Sequence, residues 1–316
     1  MRILVVGGAG FIGTNYIQCL VNGELKGISE LMVLDSFTYA SNKEECLKLS
    51  KNHDFEVINL DIRNRDKVLQ LPNNFDLLIN FAAESHVDRS IANPTDFLTT
   101  NILGVQNLLD LAMKKDCKYL QVSTDEVYGT IESGSWDEHF PLSPNSPYAA
   151  SKASADLLVR SYINTFGLNG VITRSCNNFG NYQHSEKFIP KVITSLISGT
   201  TVPIYGSGKN IREWIYVMDN LSAIHEVLLL AESGNVFNIG SGIELSNIDL
   251  FNKICELGDF DNSNFIFISD RLGHDFRYSL NSNLLMEQFL WKPKFDFDKN
   301  LLDTINWYKS SLGLAS

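Results

Sequence analysis

The sequence predicts an α/β chain built on a doubly wound parallel sheet, with a smaller C-terminal α/β lobe, and three observations carry that prediction. Arg2-Ile3-Leu4-Val5-Val6 is an apolar run without alternation, the pattern of a central parallel strand buried on both faces. It leads directly into Gly7-Gly8-Ala9-Gly10-Phe11-Ile12-Gly13, after which helix-forming residues continue to about Asn22. A second apolar run, Leu31-Met32-Val33-Leu34-Asp35, ends in an acid about 20 residues past Gly13. Strand, glycine turn, helix and acid-tipped strand in this order are Rossmann-type.

Each part has its chemistry. Gly7, Gly10 and Gly13 permit a tight turn and close backbone approach to a pyrophosphate held at a helix N-terminus. Asp35 is placed to bind a ribose diol and would repel a 2′-phosphate, so the expected cofactor is NAD rather than NADP. Strands are also read at Phe55 to Asp61 and Asp76 to Ala83, followed by a helix from about Thr95 to Lys115. Asp61 ends its strand either as a helix N-cap or as an acceptor for an adenine amino group. Ala82 and Ala83 are small enough to leave room for a cofactor. The polar loop Glu84-Ser85-His86-Val87-Asp88 follows, and His86 reads as a hydrogen-bonded structural histidine.

The densest chemistry is in Lys118-Tyr119-Leu120-Gln121-Val122-Ser123-Thr124-Asp125-Glu126-Val127-Tyr128-Gly129. Side chains alternate along a strand, so Asp125 and Glu126 share a pocket only if the strand ends near Ser123 or Thr124. Two adjacent acids are ordinarily a solvated loop. Here Pro147-Tyr148-Ala149-Ala150-Ser151-Lys152 follows about twenty residues on, with Tyr148 and Lys152 four apart on one helix face. An ammonium beside a phenol favours the phenolate, giving a base that works near neutral pH.

The helix from Tyr148 runs to about Phe166, and Gly170 to Cys176 is the next strand. From Asn177-Asn178-Phe179-Gly180 onward the alternation breaks down. Lys187-Phe188-Ile189-Pro190, Pro203-Ile204-Tyr205-Gly206 and Ile211-Arg212-Glu213-Trp214 read as loops that combine cations with rings. Arg271-Leu272-Gly273-His274-Asp275-Phe276-Arg277-Tyr278 adds two arginines after the strand Phe265 to Ile268. Such residues suit a nucleoside diphosphate, with rings for the base and Lys or Arg for the phosphates. The division expected is residues 1–176 for the cofactor domain, completed by parts of 212–240, with 177–316 mainly a nucleotide-sugar lobe interleaved with it.

Charge and cysteine usage narrow the class further. With 26 basic and 37 acidic residues the chain has no electrostatic footprint for nucleic acid or an anionic membrane. The 5 cysteines form no CxxC, which fits free thiols in a reducing cytoplasm and no metal site. No apolar run reaches the roughly 18 residues of a membrane span, and glycines interrupt the N-terminal run too early for a signal peptide. A soluble cytoplasmic protein is expected. Apolar residues beyond one stripe on the helices at about 95–115 and 148–166, among them Leu98, Ile102 and Leu109, point to a homodimer.

The glycine motif, Asp35 and the Tyr148–Lys152 pair resemble the extended short-chain dehydrogenase/reductase family. Phe81 to Ser90, Ser123 to Gly129, Pro147 to Ala153 and Gly273-His274-Asp275 resemble its nucleoside-diphosphohexose 4,6-dehydratase branch, over nearly the whole chain. The resemblance implies deoxysugar formation from a nucleotide hexose, dTDP-glucose first among them, with UDP or CDP sugars as alternatives. It implies Tyr148 as base on the 4-hydroxyl, Lys152 supporting it and holding the nicotinamide ribose, and Thr124 bonding the same hydroxyl. Glu126 would take the C5 proton and a protonated Asp125 would donate to the departing 6-hydroxyl. NAD would contact Phe11, Ile12, Asp35, Ser36, Thr38, Asp61, Ile62, Ala82, Ala83, Thr100 and Asn178. The sugar nucleotide would meet Ser85, Asn177, Lys187, Phe188, Pro203, Tyr205, Arg212, Arg271, His274 and Tyr278.

The sequence departs from the branch at Phe179, Asn181, Ile243, Leu272 and Phe276, and Ile243 stands where an asparagine often meets the nucleotide. Two other functions share much of the pattern. A 4-epimerase needs everything except the acid pair, and a non-catalytic NAD-binding protein needs neither the acids nor the tyrosine and lysine together.

Overall fold

The computed structural model describes residues 1–72 and 75–313, so the last three residues of the second expected lobe lie outside it. Seven parallel strands form the central sheet in the order β3-β2-β1-β4-β5-β6-β10. They are β1 (Arg2–Val6), β2 (Glu30–Asp35), β3 (Glu56–Asn59), β4 (Leu77–Asn80), β5 (Lys118–Thr124), β6 (Gly170–Ser175) and β10 (Val236–Ile239). The last strand enters from far along the chain and pairs with β6 from Val236 opposite Ile172 to Ile239 opposite Ser175.

The unbroken apolar run of β1 is explained by two cores. Ile3 and Val5 pack into one layer with Tyr16 and Ile17 of the helix Phe11–Val21 and Leu221 and Ile224 of Val217–Leu230. Leu4 and Val6 face the other layer, with Leu108 and Leu111 of Val105–Lys115 and Val159 of Pro147–Phe166. Burying each such aliphatic side chain stabilises the fold by roughly 1.5–3 kcal/mol.

Two expected strands are shorter than the apolar runs that announced them. β3 stops at Asn59, and β4 stops at Asn80 rather than continuing through Ala83. The reason at Asn80 is its own amide: Oδ1 accepts from Ala82 N at 3.0 Å and Nδ2 donates to Gln121 Oε1 at 3.1 Å, which bends the chain out of the ladder.

The helix expected at 95–115 is three pieces, Pro94–Leu98, a π-helical turn at Thr99–Gly104, and Val105–Lys115. Wide turns of this kind are frequent at functional sites. Leu109 lies wholly in the core, so it is not on an outward apolar face; the pattern read there missed the π turn, which rotates the residues after it.

A second lobe holds its own core of Phe179, Ile189, Trp214, Phe251 and Leu301. Its sheets are β7 (Asn177–Phe179), β9 (Ile211–Tyr216) and β11 (Glu244–Ser246), and β8 (Val202–Tyr205) with β12 (Phe265–Ile268). The segments read as loops at 203–206 and 211–214 are therefore strands, and Phe188 begins the helix Phe188–Ile197. All five cysteines are buried and unbridged. Among the described residues no helix is long and apolar enough to cross a membrane.

Candidate active site

The order reverses between β1 and β4, which is where an open parallel sheet leaves a crevice at its carboxyl edge. A cavity of about 350 Å³ occupies it. Gly7, Gly10, Phe11, Ile12, Gly13, Asp35, Ser36, Thr38, Asp61, Ile62, Ala82, Ala83, Thr100, Tyr148, Lys152 and Asn178 all line this cavity.

The local geometry is that of a dinucleotide cradle. Gly7 has φ +76°, and a Cβ there would lie 2.4 Å from the Ala82 nitrogen. A Cβ at Gly13 would lie 2.3 Å from the Gly7 carbonyl, so helix and turn pack as closely as glycine alone allows. The helix Phe11–Val21 has Gly10 as N-cap with no side-chain cap and no acid in its first turn, leaving its N–H groups for an anion. Asp35 accepts from Ala9 N at 2.9 Å and Phe37 N at 2.8 Å, which fixes its carboxylate on the wall. Asn178 Oδ1 is buried without a partner, an acceptor suited to an amide N–H.

Asp61 caps no helix. It accepts from the backbone and side chain of Arg63, and Asn64 is the N-cap of Arg65–Leu69. His86 is also not the satisfied structural histidine that was expected: its Nδ1 is buried without a partner, and its Nε2 lies 3.7 Å from Glu186. It is the N-cap of a short helix, Val87–Ala92, on the shared wall of two cavities.

The acid pair is set by the end of β5. Thr124 is the last strand residue, and its hydroxyl caps a 3₁₀ turn, Asp125–Tyr128, by accepting from Glu126 N at 3.4 Å and donating to Asp125 Oδ1 at 3.0 Å. Gly129 closes the turn at φ +80°, where a Cβ would meet the Ser143 carbonyl at 2.3 Å. Opposite, Ser146 caps Pro147–Phe166 through its Oγ at 3.1 Å from Ala149 N, and Pro147 occupies the first turn. Tyr148 and Lys152 are 8% and 5% exposed. Asn101 of the π turn holds this helix against the loop after β4, donating to Ser151 Oγ at 2.8 Å and Glu84 O at 2.9 Å.

The two carboxyls differ in electrostatic surroundings. Asp125 is pushed well above the ordinary carboxylate range by burial, then by Glu126 and Glu213. Glu126 is raised by burial and opposed by Arg212, Lys187 and Arg271. Both are raised, but Asp125, beside two anions, is favoured as the protonated member of the pair, while Glu126 is opposed by three cations. The phenol of Tyr148 is also pushed up, by burial and by Glu126, with the Thr124 hydroxyl working against that. Lys152 falls to about 8 through burial, supported by Asp156, and its ammonium donates to the Val122 carbonyl at 2.7 Å. The expected depression of the phenol by this ammonium is therefore not what dominates; burial and Glu126 do.

A second cavity, about 460 Å³, meets the first at Ser85, Glu126, Asn177, Lys187 and Phe188. Pro203, Tyr205, Arg212, Arg271, His274 and Tyr278 line the rest, so the scattered basic and aromatic segments converge. Arg271 pairs with Asp88 at 2.6 Å and lies over the Tyr205 ring, while Arg212 lies over Tyr278. Trp214, the ring of the segment 211–214, lines this cavity too; Asp88, Ser146, Lys191 and Asn247 also line it and were not foreseen. Asn247 lines the cavity, whereas Ile243 does not. Phe179 is in the second core, and neither it nor Asn181, Leu272 or Phe276 lines this cavity.

The family profile for GDP-mannose 4,6 dehydratase matches residues 4–304. The chain belongs to that family. It is 44% identical to the low-salt glycan biosynthesis protein Agl12 of Haloferax volcanii over 98% of each chain. It is 40% identical to a dTDP-glucose 4,6-dehydratase of Streptomyces niveus, covering 98% of this chain and 94% of that one. The crystal structure of DesIV, a dTDP-glucose 4,6-dehydratase from Streptomyces venezuelae with NAD bound, superposes with a TM-score of 0.97 at 43% identity, covering 99% and 98%. The fold shared with this family is the parallel Rossmann-type sheet described above.

Proposed function

We propose that the chain is an NAD-dependent 4,6-dehydratase that converts dTDP-glucose to its 4-keto-6-deoxy product by loss of water, a step in deoxysugar and polysaccharide precursor formation. The observation that carries this reading is the opposed setting of Asp125 and Glu126 where the two cavities meet, because elimination across C5 and C6 needs one proton donor and one base. A 4-epimerase has no use for either.

In this reading the glycine turn and Asp35 hold the dinucleotide, with Lys152 and Asn178 at its nicotinamide end. Bound NAD supplies the hydride acceptor at C4 and the donor at C6. Thr124 and Tyr148 hold the sugar 4-hydroxyl, and Tyr148 removes its proton. Once C4 is a ketone, the C5 proton is acidic and Glu126 takes it. Asp125 gives its proton to the 6-hydroxyl, which leaves as water, and a proton returns to C5 when hydride returns to C6. Arg212, Arg271 and Lys187 meet the diphosphate, and Tyr205 and Tyr278 hold the sugar nucleotide between them.

A homodimer in the cytoplasm belongs to the same proposal. Leu98 and Leu103 on one helical segment and Leu157 on the next are 45%, 54% and 53% exposed, an apolar face that a second copy would cover. Unbridged thiols agree with a reducing compartment. The test is incubation with dTDP-glucose followed by NMR of the sugar: a 4-keto-6-deoxy product is expected, and a C4 epimer or unchanged substrate would overturn the reading. Running UDP-glucose and CDP-glucose in parallel decides the base.

A further inference from the structure

Arg174 of β6 is 1% exposed and lies under both halves of the site. Its Nε donates to Asp156 Oδ2 at 2.9 Å, and Asp156 is itself fully buried with Oδ1 unpartnered. Its Nη1 donates to the Tyr128 hydroxyl at 2.7 Å, and the guanidinium stands 4.9 Å over the Tyr128 ring. Tyr128 then donates to Asn238 Oδ1 of β10 at 2.9 Å.

The partners decide what this network does. Asp156 follows Tyr148 and Lys152 at four-residue intervals, so the three share one face of Pro147–Phe166. Tyr128 is the last residue of the turn that carries Asp125 and Glu126. The tyrosine–lysine pair and the acid pair are thereby fastened to a single guanidinium. A buried ion pair is weak evidence for stability, because well-packed apolar residues of similar volume commonly do as well or better.

We propose that Arg174, Asp156 and Tyr128 are positioning residues that keep the C4-oxidising groups and the C5/C6-eliminating groups in register, each branch serving one half-reaction. The proposal rests on the dehydratase reading. The Tyr128 branch sets the height of the acid turn. The Asp156 branch sets Lys152: Asp156 is faced by Arg174 from β6, Tyr119 from β5, and Lys152 and Tyr148 from its own helix, and it supports the charge on Lys152.

Tyr128→Phe and Asp156→Asn separate the branches when C4 oxidation is read as bound NADH and elimination as deuterium exchange at C5. Tyr128→Phe keeps the ring and loses both hydroxyl bonds. It is expected to slow C5 exchange about 10- to 100-fold while C4 oxidation stays within about twofold, since displacing a reacting group by 1 Å costs on this order. Asp156→Asn is expected to slow oxidation and move its alkaline limb to lower pH, because Lys152 then loses its proton sooner. Equal losses in both half-reactions, or no loss with an unchanged pH profile, would overturn the proposal. If Asp156→Asn does not fold, the split in Tyr128→Phe decides alone. A wild-type protein that makes no 4-keto-6-deoxy sugar overturns the dehydratase reading and the proposal with it, whereas an active wild type whose variants fail to split overturns the proposal alone.

Discussion

Replacing Glu126 by glutamine keeps the size of the side chain and removes its charge. Two consequences follow from its surroundings, and they act on different half-reactions. The amide cannot take the C5 proton, and loss of a general base typically costs 10²–10⁴-fold, about 2.7–5.5 kcal/mol at the transition state. The C4 step keeps Thr124, Tyr148 and Lys152. It also gains slightly, since Glu126 is the charge that raises the Tyr148 phenol most and its removal lets the phenol ionise at lower pH. Bound NADH should therefore accumulate in Glu126→Gln, with the acidic limb of its formation shifted to lower pH, while C5 deuterium exchange nearly vanishes. Rapid-mixing absorbance for NADH and mass spectrometry for deuterium read the two quantities. Exchange at close to the wild-type rate would refute the assignment and leave the acid pair structural.

Asp125→Asn should lower product formation by about 10²–10⁴-fold while C5 exchange through Glu126 persists, as seen by NMR in deuterated buffer. Gly7→Ala should lower both thermal stability and NAD affinity, because the left-handed conformation costs about 1–2 kcal/mol and the new methyl meets the Ala82 backbone; melting with and without NAD checks this. Light scattering at micromolar concentration should give a dimer, and Leu98→Glu with Leu157→Glu should give a monomer.

The cofactor half was readable because its constraints are local. A glycine whose φ is positive and whose Cβ space is filled by another backbone leaves a mark in the sequence, and so does a strand buried on both faces. The end of β5 was readable for the same reason, since two adjacent acids can converge only where pleating stops. The second cavity was less legible. Its lysines, arginines and rings were visible, but Asp88 reaches Arg271 across 183 residues of chain, and no periodicity reports such a meeting. The π turn was invisible because Thr99–Gly104 carries no proline and keeps an ordinary apolar pattern; Gly104, where a Cβ would meet the Ile62 side chain at 2.6 Å, gives no signal of its own in the sequence. The histidine went wrong because a buried ring nitrogen is usually satisfied, and His86 Nδ1 is not.

The five buried thiols make the chain its own reporter of local opening. Burial pushes Cys19 and Cys117 up to about 12 and Cys46 and Cys255 to about 11, so neither accessibility nor thiolate is offered while the native packing holds. Each belongs to a different part of the fold: Cys19 to the helix after the glycine turn, Cys46 to Lys43–His53, Cys117 to the residue before β5, Cys255 to the second lobe. Cys176 sits on the wall of the cofactor cavity. The order in which a thiol reagent labels them, resolved by mass spectrometry of peptides, therefore maps which part of the molecule breathes first, and slower labelling of Cys176 in the presence of NAD is occupancy read without any catalytic turnover.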